Sequence, residues 1–124
     1  MVSLSNAEWD VMNVLWDRGE SGLGEVRAAL REQGSAWAGN TVQTFLTRLE
    51  KKGAVTVLRE GPANVYRPVL RREDCRRAAL SALRERVFGG SAAGLVSALL
   101  EDEALSKEEL ERLRALIDER WREG

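Results

Sequence analysis

The stretch that most constrains this chain is Trp37-Ala38-Gly39-Asn40-Thr41-Val42-Gln43-Thr44-Phe45-Leu46-Thr47-Arg48-Leu49-Glu50-Lys51-Lys52-Gly53. At helical period Val42, Phe45, Leu46 and Leu49 fall on one apolar stripe. Asn40, Thr41, Gln43, Thr44, Thr47 and Arg48 fall on the other side. That face is polar but nearly uncharged until Arg48. A solvated surface helix usually carries Glu and Lys there, and Thr is a mediocre helix former. Short hydroxyl and amide side chains suit a helix lying against base edges and phosphates in a major groove.

The elements on either side suit such a role. Leu4-Ser5-Asn6-Ala7-Glu8-Trp9 is a capping box with a hydrophobic staple: Ser5 caps, Glu8 reaches back and Leu4 packs on Trp9. The helix it opens is expected to bury Trp9, Met12, Leu15 and Trp16 and to stop near Arg18-Gly19. Core packing explains the two Trp residues better than a stacked ligand does. A second helix follows Gly22, with Leu23, Val26 and Leu30 at helical spacing, and fades at Gln33-Gly34-Ser35. The third ends at Gly53, where Lys51 and Lys52 complement its C-terminal dipole or reach phosphates. The period then changes. Val55-Thr56-Val57-Leu58-Arg59 is β-branched, Glu60-Gly61-Pro62-Ala63-Asn64 is a turn, and Val65-Tyr66-Arg67 returns as a strand closed by Pro68. Three helices and a hairpin in this order read as a winged helix-turn-helix over residues 1–70, mainly α with a small β-hairpin. In that fold the third helix enters the major groove. Arg59 and Arg67 on the hairpin become phosphate candidates or plain solvated strand charges.

Charge placement agrees. Taken alone, the net charge of −1 argues against a nucleic-acid partner. However, Ser35–Arg72 holds seven basic residues against Glu50 and Glu60, whereas Leu99–Gly124 holds nine acids against five bases. A basic middle beside an acidic tail separates a phosphate-facing part from a part facing elsewhere.

Residues 71–124 read as a helical dimerisation domain. Cys75, Ala79, Leu83 and Val87 make a narrow stripe, Gly89-Gly90 breaks the helix, and Ser91 opens the next, with Leu95, Val96, Leu99 and Leu100 apolar. Ser106 and Glu109 repeat the capping box, with Leu105 stapled to Leu110, and the last helix carries Leu110, Leu113, Leu116, Ile117 and Trp121. So much apolar surface on a short segment is expected to associate. Leu83, Val87, Leu95, Val96, Leu99, Leu110, Leu113, Ile117 and Trp121 are the candidate contacts of an isologous homodimer, which would read two half-sites of a palindrome. Packing onto the N-terminal domain is the alternative. The lone Cys75 gives neither a disulfide nor a metal motif, and there is no His. No nucleophile–base constellation is visible, so neither an enzyme nor a cofactor or metal site is expected. No apolar run reaches spanning length and no signal peptide is evident, which makes the cytoplasm the expected setting.

Several stretches resemble the penicillinase-repressor family (BlaI/MecI/CopY-type regulators). They are Leu4-Ser5-x-Ala7-Glu8-Trp9-x-Val11-Met12-x-x-Leu15-Trp16, Trp37-x-x-x-Thr41-Val42-x-Thr44-x-Leu46-x-Arg48-Leu49-x-Lys51-Lys52-Gly53, Val87-Phe88-Gly89-Gly90 and Leu105-Ser106-Lys107-Glu108-Glu109-Leu110. The resemblance implies a homodimeric winged-helix repressor on a dyad operator of double-stranded DNA, ahead of antibiotic-resistance or copper-homeostasis genes. Four departures stand out. Ala38-Gly39-Asn40 replaces a common Ser-Pro-Lys, losing a helix cap and a basic phosphate contact. Gln43, where the family shows Arg, Lys or Gln, can address adenine bidentately, whereas Arg prefers guanine. The cysteine cluster of the copper-sensing branch is missing. Ala98-Leu99 stands near where the β-lactam branch is cut at Asn-Phe, so induction by a membrane-bound sensor metallopeptidase lacks a matching site. Thr41, Gln43 and Thr44 are thus the expected base readers. Asn40, Thr47, Arg48, Lys52, Arg59 and Arg67 are the expected phosphate contacts. A winged-helix protein–protein adaptor that binds no DNA is the rival reading.

Overall fold

The computed structural model describes residues 2–59, 61–102 and 104–124; Glu60 of the expected turn and Glu103 of the acidic stretch lie outside them. The element order is α1 (Asn6–Arg18), β1 (Ser21–Gly22), α2 (Leu23–Glu32), α3 (Gly39–Lys51), β2 (Val55–Leu58), β3 (Val65–Pro68), α4 (Arg72–Val87), α5 (Ala92–Glu101) and α6 (Lys107–Glu123). Two compact units, Met1–Leu80 and Ser81–Gly124, divide the chain within α4.

The first unit is three helices on a small antiparallel sheet. The Ser5–Glu8 capping box forms as expected: the Glu8 N–H donates to Ser5 Oγ at 3.2 Å and the Ser5 N–H to Glu8 Oε1 at 2.8 Å. Gly19 ends α1 at φ +84°, a left-handed conformation that costs a glycine little. The core joins Val11, Met12, Val14 and Leu15 to Val26, Ala29 and Leu30, then to Val42, Leu46 and Leu49, closed by Ala54, Val55 and Tyr66.

Trp9 and Trp16 are only half-buried, contrary to expectation; Val11 and Val14 take the centre instead. Their rings meet at 5.8 Å, and Trp16 uses its polar edge, donating Nε1–H to the Leu70 carbonyl at 2.9 Å. An indole that must satisfy an N–H belongs at a core margin. Arg72 lies over the Trp16 ring at 5.2 Å and donates to Asn13 and Asp17, tying the start of α4 to α1.

Sequence periodicity gave no sign of β1. Ser21 and Gly22 pair with Tyr66 and Val65, so the hairpin becomes a three-stranded sheet of order β1-β3-β2. Two residues are too short a run to show alternation. In the hairpin Val55 faces Pro68, Thr56 faces Arg67, Val57 faces Tyr66 and Leu58 faces Val65.

In the α4 stripe only Cys75 is buried; Ala79, Leu83 and Val87 are exposed. Spacing by four advances about 40° per step around the helix, so the stripe winds away from the side of α4 on which Cys75 is buried. Burial, and then the nearby Asp74 carboxylate, pushes the Cys75 thiol up, which keeps it protonated and unreactive. In the second unit Ser91 caps α5 by accepting from the Gly94 N–H at 2.9 Å, and Ser106 and Glu109 form the second capping box. Val96, Leu99, Leu110, Leu116, Ile117 and Trp121 remain exposed, Trp121 at 84%. Leu95, Leu105 and Leu113 are half-buried. Between α5 and α6 lies a groove of about 710 Å³, lined chiefly by Val96, Leu100, Leu113, Leu116, Ile117 and Trp121.

Candidate nucleic-acid interface

α3 is placed by its apolar face. Val42, Leu46 and Leu49 are fully buried, and Phe45 is half-buried, edge-on to Trp37 at 5.1 Å. Arg27 Nε–H, donating to the Trp37 carbonyl at 3.3 Å, steadies the loop before the helix. Ala38 occupies the N-cap with no side-chain bond, as its residue type requires. Seating α3 this way leaves Asn40, Thr44, Thr47 and Arg48 exposed, with Thr41 and Gln43 half-buried beside them. The expected face therefore exists.

Three of its side chains, Gln43, Thr44 and Thr47, spend their polar hydrogens within the protein. Thr44 Oγ1–H donates to the Asn40 carbonyl and Thr47 Oγ1–H to the Gln43 carbonyl, each at 2.9 Å. This back-bonding lets threonine sit in a helix while keeping lone pairs outward as acceptors. The Gln43 amide meets the Tyr66 hydroxyl, with Nε2 at 2.9 Å and Oε1 at 3.2 Å, and its Nε2 also reaches Thr47 Oγ1 at 3.3 Å. Tyr66, only 2% exposed, anchors this network from the middle of the sheet. Sequence reasoning gave it no role. Its one available signal was that a tyrosine on an inward strand position needs a partner for its hydroxyl.

The basic candidates divide. Among the described residues Arg48 has no ion pair or side-chain hydrogen bond, and the same holds for Lys51 and Arg71, which are also exposed. Arg59 pairs with Glu50 at 2.9 Å and Arg67 with Glu20 at 2.9 Å. The Arg59 guanidinium holds the Glu50 carboxyl below its usual range, and Glu50 in turn raises Arg59. Both hairpin pairs are exposed, so they are weak and exchange readily for another anion.

Lys52 is different. Its ammonium donates to Glu8 Oε1 at 2.6 Å and to the Ser3 carbonyl at 2.9 Å. The Glu8 side chain is 3% exposed. Burial, the largest single influence, raises its pKa, but the bonds from Lys52 and Ser5 together override burial and hold the carboxyl below its usual range. Lys52 thus ties the C-terminal end of α3 to the first turn of α1. Nothing in local spacing pointed to that bond.

Among the described residues no group of acidic, Cys or His side chains could hold a metal ion, and no helix is long and apolar enough to cross a membrane.

Comparison with known proteins gives consistent matches. The family model described as penicillinase repressor matches residues 4–119. A penicillinase repressor of Bacillus licheniformis is 34% identical over 116 residues, covering 94% of this chain and 90% of its own. The methicillin resistance regulatory protein MecI of Staphylococcus aureus is 27% identical, covering 94% of both chains. Among solved structures, the monomeric form of Bacillus licheniformis BlaI in complex with the blaP half-operator aligns with a TM-score of 0.50 and 38% identity. That alignment covers 59% of this chain and 88% of the other.

Proposed function

The chain belongs to the penicillinase repressor family, and from that membership we propose that its DNA is read by α3 with the β2–β3 hairpin alongside. It is a DNA-binding repressor with a winged-helix fold, and not an enzyme. The observation that carries the interface is the exposed, nearly uncharged face of α3 in a chain that is 31% charged. Side chains short enough to approach base edges are gathered where no solvation need explains them. Thr41, Gln43 and Thr44 read bases, while Asn40, Arg48 and the hairpin arginines Arg59 and Arg67 hold phosphates; Thr47, expected among the phosphate contacts, has its one hydroxyl hydrogen committed to the Gln43 carbonyl and is left out of them. Exposed Lys51 joins them. Lys52, with its ammonium committed to Glu8, is read here as a brace between α1 and α3.

Residues 1–70 form the DNA-binding part and residues 71–124 the dimerisation part of a homodimer. The exposed side chains of α5 and α6 and the apolar groove between them support this division. Each chain takes one half of a dyad operator, as a monomeric relative on a half-operator suggests. The regulated genes are of the β-lactam-resistance or a related stress type, and the setting is the cytoplasm. Ala98-Leu99, within α5, leaves induction by a sensor metallopeptidase without a matching cleavage site.

A mobility-shift titration with the region upstream of the chain's own gene tests the function. The expected outcome is a saturable shift that competitor DNA does not remove, weakening as salt rises. No shift beyond non-specific binding would favour an adaptor instead.

A further inference from the structure

We propose that the Tyr66 hydroxyl is a positioning group that holds Gln43 as a hydrogen-bond acceptor and so sets the base this helix position admits; this rests on the DNA-binding reading above. A free glutamine pairs with adenine bidentately, donating an N–H to N7 while accepting from the N6 amine. That pairing needs an unspent N–H. Here both hydrogens of Gln43 Nε2 have partners, one the Tyr66 hydroxyl at 2.9 Å and the other Thr47 Oγ1 at 3.3 Å. The partners are themselves constrained. The Thr47 hydroxyl donates to the Gln43 carbonyl at 2.9 Å, and the Tyr66 hydroxyl returns its hydrogen to Gln43 Oε1 at 3.2 Å. Every donor in the ring is spent. The unfilled capacity is the second lone pair of Oε1, since an amide oxygen accepts twice.

An acceptor alone distinguishes bases differently from a bidentate amide. It bonds the exocyclic amine of adenine or of cytosine and is repelled by the oxygens of guanine and thymine. Gln43 held in this way selects an amine on the contacted strand and barely separates adenine from cytosine. Tyr66 can impose this because it is buried in the sheet, paired across from Val57 and Ser21, so its hydroxyl cannot follow the amide outward. Tyr66 touches no base; it acts through Gln43.

The test is a binding-site selection on the full chain, read position by position. The wild type is expected to admit adenine and cytosine about equally at one position of each half-site. Tyr66→Phe, which frees an N–H, is expected to shift that position toward adenine by at least about fivefold. Thr47→Val frees the other N–H from an exposed site that the core does not need, and is expected to shift it the same way. In a Gln43→Ala background neither change has any effect on preference. The proposal is overturned if the wild type already selects adenine alone, or if both variants leave the preference as it was or weaken all sequences alike. A shift that survives Gln43→Ala overturns it too. A wild type that selects no sequence sinks the repressor reading itself, and this proposal with it.

Discussion

Replacing Lys52 with Met separates a structural role for that ammonium from a phosphate contact. The change keeps most of the aliphatic stem and removes the charge that Glu8 Oε1 accepts at 2.6 Å. Glu8 is 2% exposed, and its Oε2 is already without a partner among the described residues. What remains for the carboxylate is the Ser5 backbone N–H at 2.8 Å and little water. A hydrogen bond to a charged group contributes about 1.5–3 kcal/mol. The Lys52 side chain is 35% exposed, so solvent screens part of that. The expected loss at neutral pH is about 1–2 kcal/mol. With a mid-range urea slope of about 2 kcal/mol/M, the midpoint falls by roughly 0.5–1 M. The pH dependence follows from the depressed Glu8 pKa. A carboxyl held below its unfolded value adds stability that is present above the unfolded pKa and lost as pH falls through the folded one. The difference between wild type and Lys52→Met therefore narrows in acid, once Glu8 is protonated in both. Urea titrations at neutral and acidic pH measure it. Glu8→Gln is the control, because it keeps an acceptor for Ser5 and removes the charge, leaving Lys52→Met only neutral acceptors such as the Ser3 carbonyl to lose, so that it costs clearly less in that background. Equal stability at neutral pH, together with a salt slope of operator binding lowered by about one, would refute the brace and return Lys52 to the phosphate contacts.

Other expectations concern the interface and the assembly. Arg48→Ala weakens binding to all sequences alike and lowers the salt slope by about one, read from titrations at several salt concentrations; an unchanged slope removes it from the phosphate set. Gln43→Ala relaxes preference at one position of each half-site by about 1–3 kcal/mol, measured with single-base operator variants. Truncation after Phe88 gives a folded monomer with much weaker operator binding; a fragment that still sediments as a dimer places the main contact elsewhere. Leu46→Ala, at a fully buried position, destabilises the first unit by about 2–5 kcal/mol in denaturant titration, without changing base preference in whatever protein remains folded.

The amino-acid order alone determined what depends on near neighbours. Ser5 with Glu8, and Ser106 with Glu109, mark helix starts because the bonded groups lie three residues apart. Val42, Leu46 and Leu49 mark the inner face of α3 because the helical period puts them on one side, and the leftover Thr and Gln residues then define the outer face. The same logic overreached at Trp9 and Trp16, where hydrophobicity pointed to the centre: the Trp16 indole N–H meets the Leu70 carbonyl at the margin, and Trp9 lies against that ring. Tertiary structure decided the pairings between distant residues. Lys52 found Glu8 across 44 positions, Arg67 found Glu20 across 47, and Tyr66 found Gln43 across 23. β1 exists only because β3 passes beside it. Such partners follow from where the chain returns after each turn, which local periodicity does not encode. The two faces of α3 were therefore legible in the sequence, but which polar atoms of its outer face keep unspent hydrogen-bonding capacity was decided only when the hairpin folded against it.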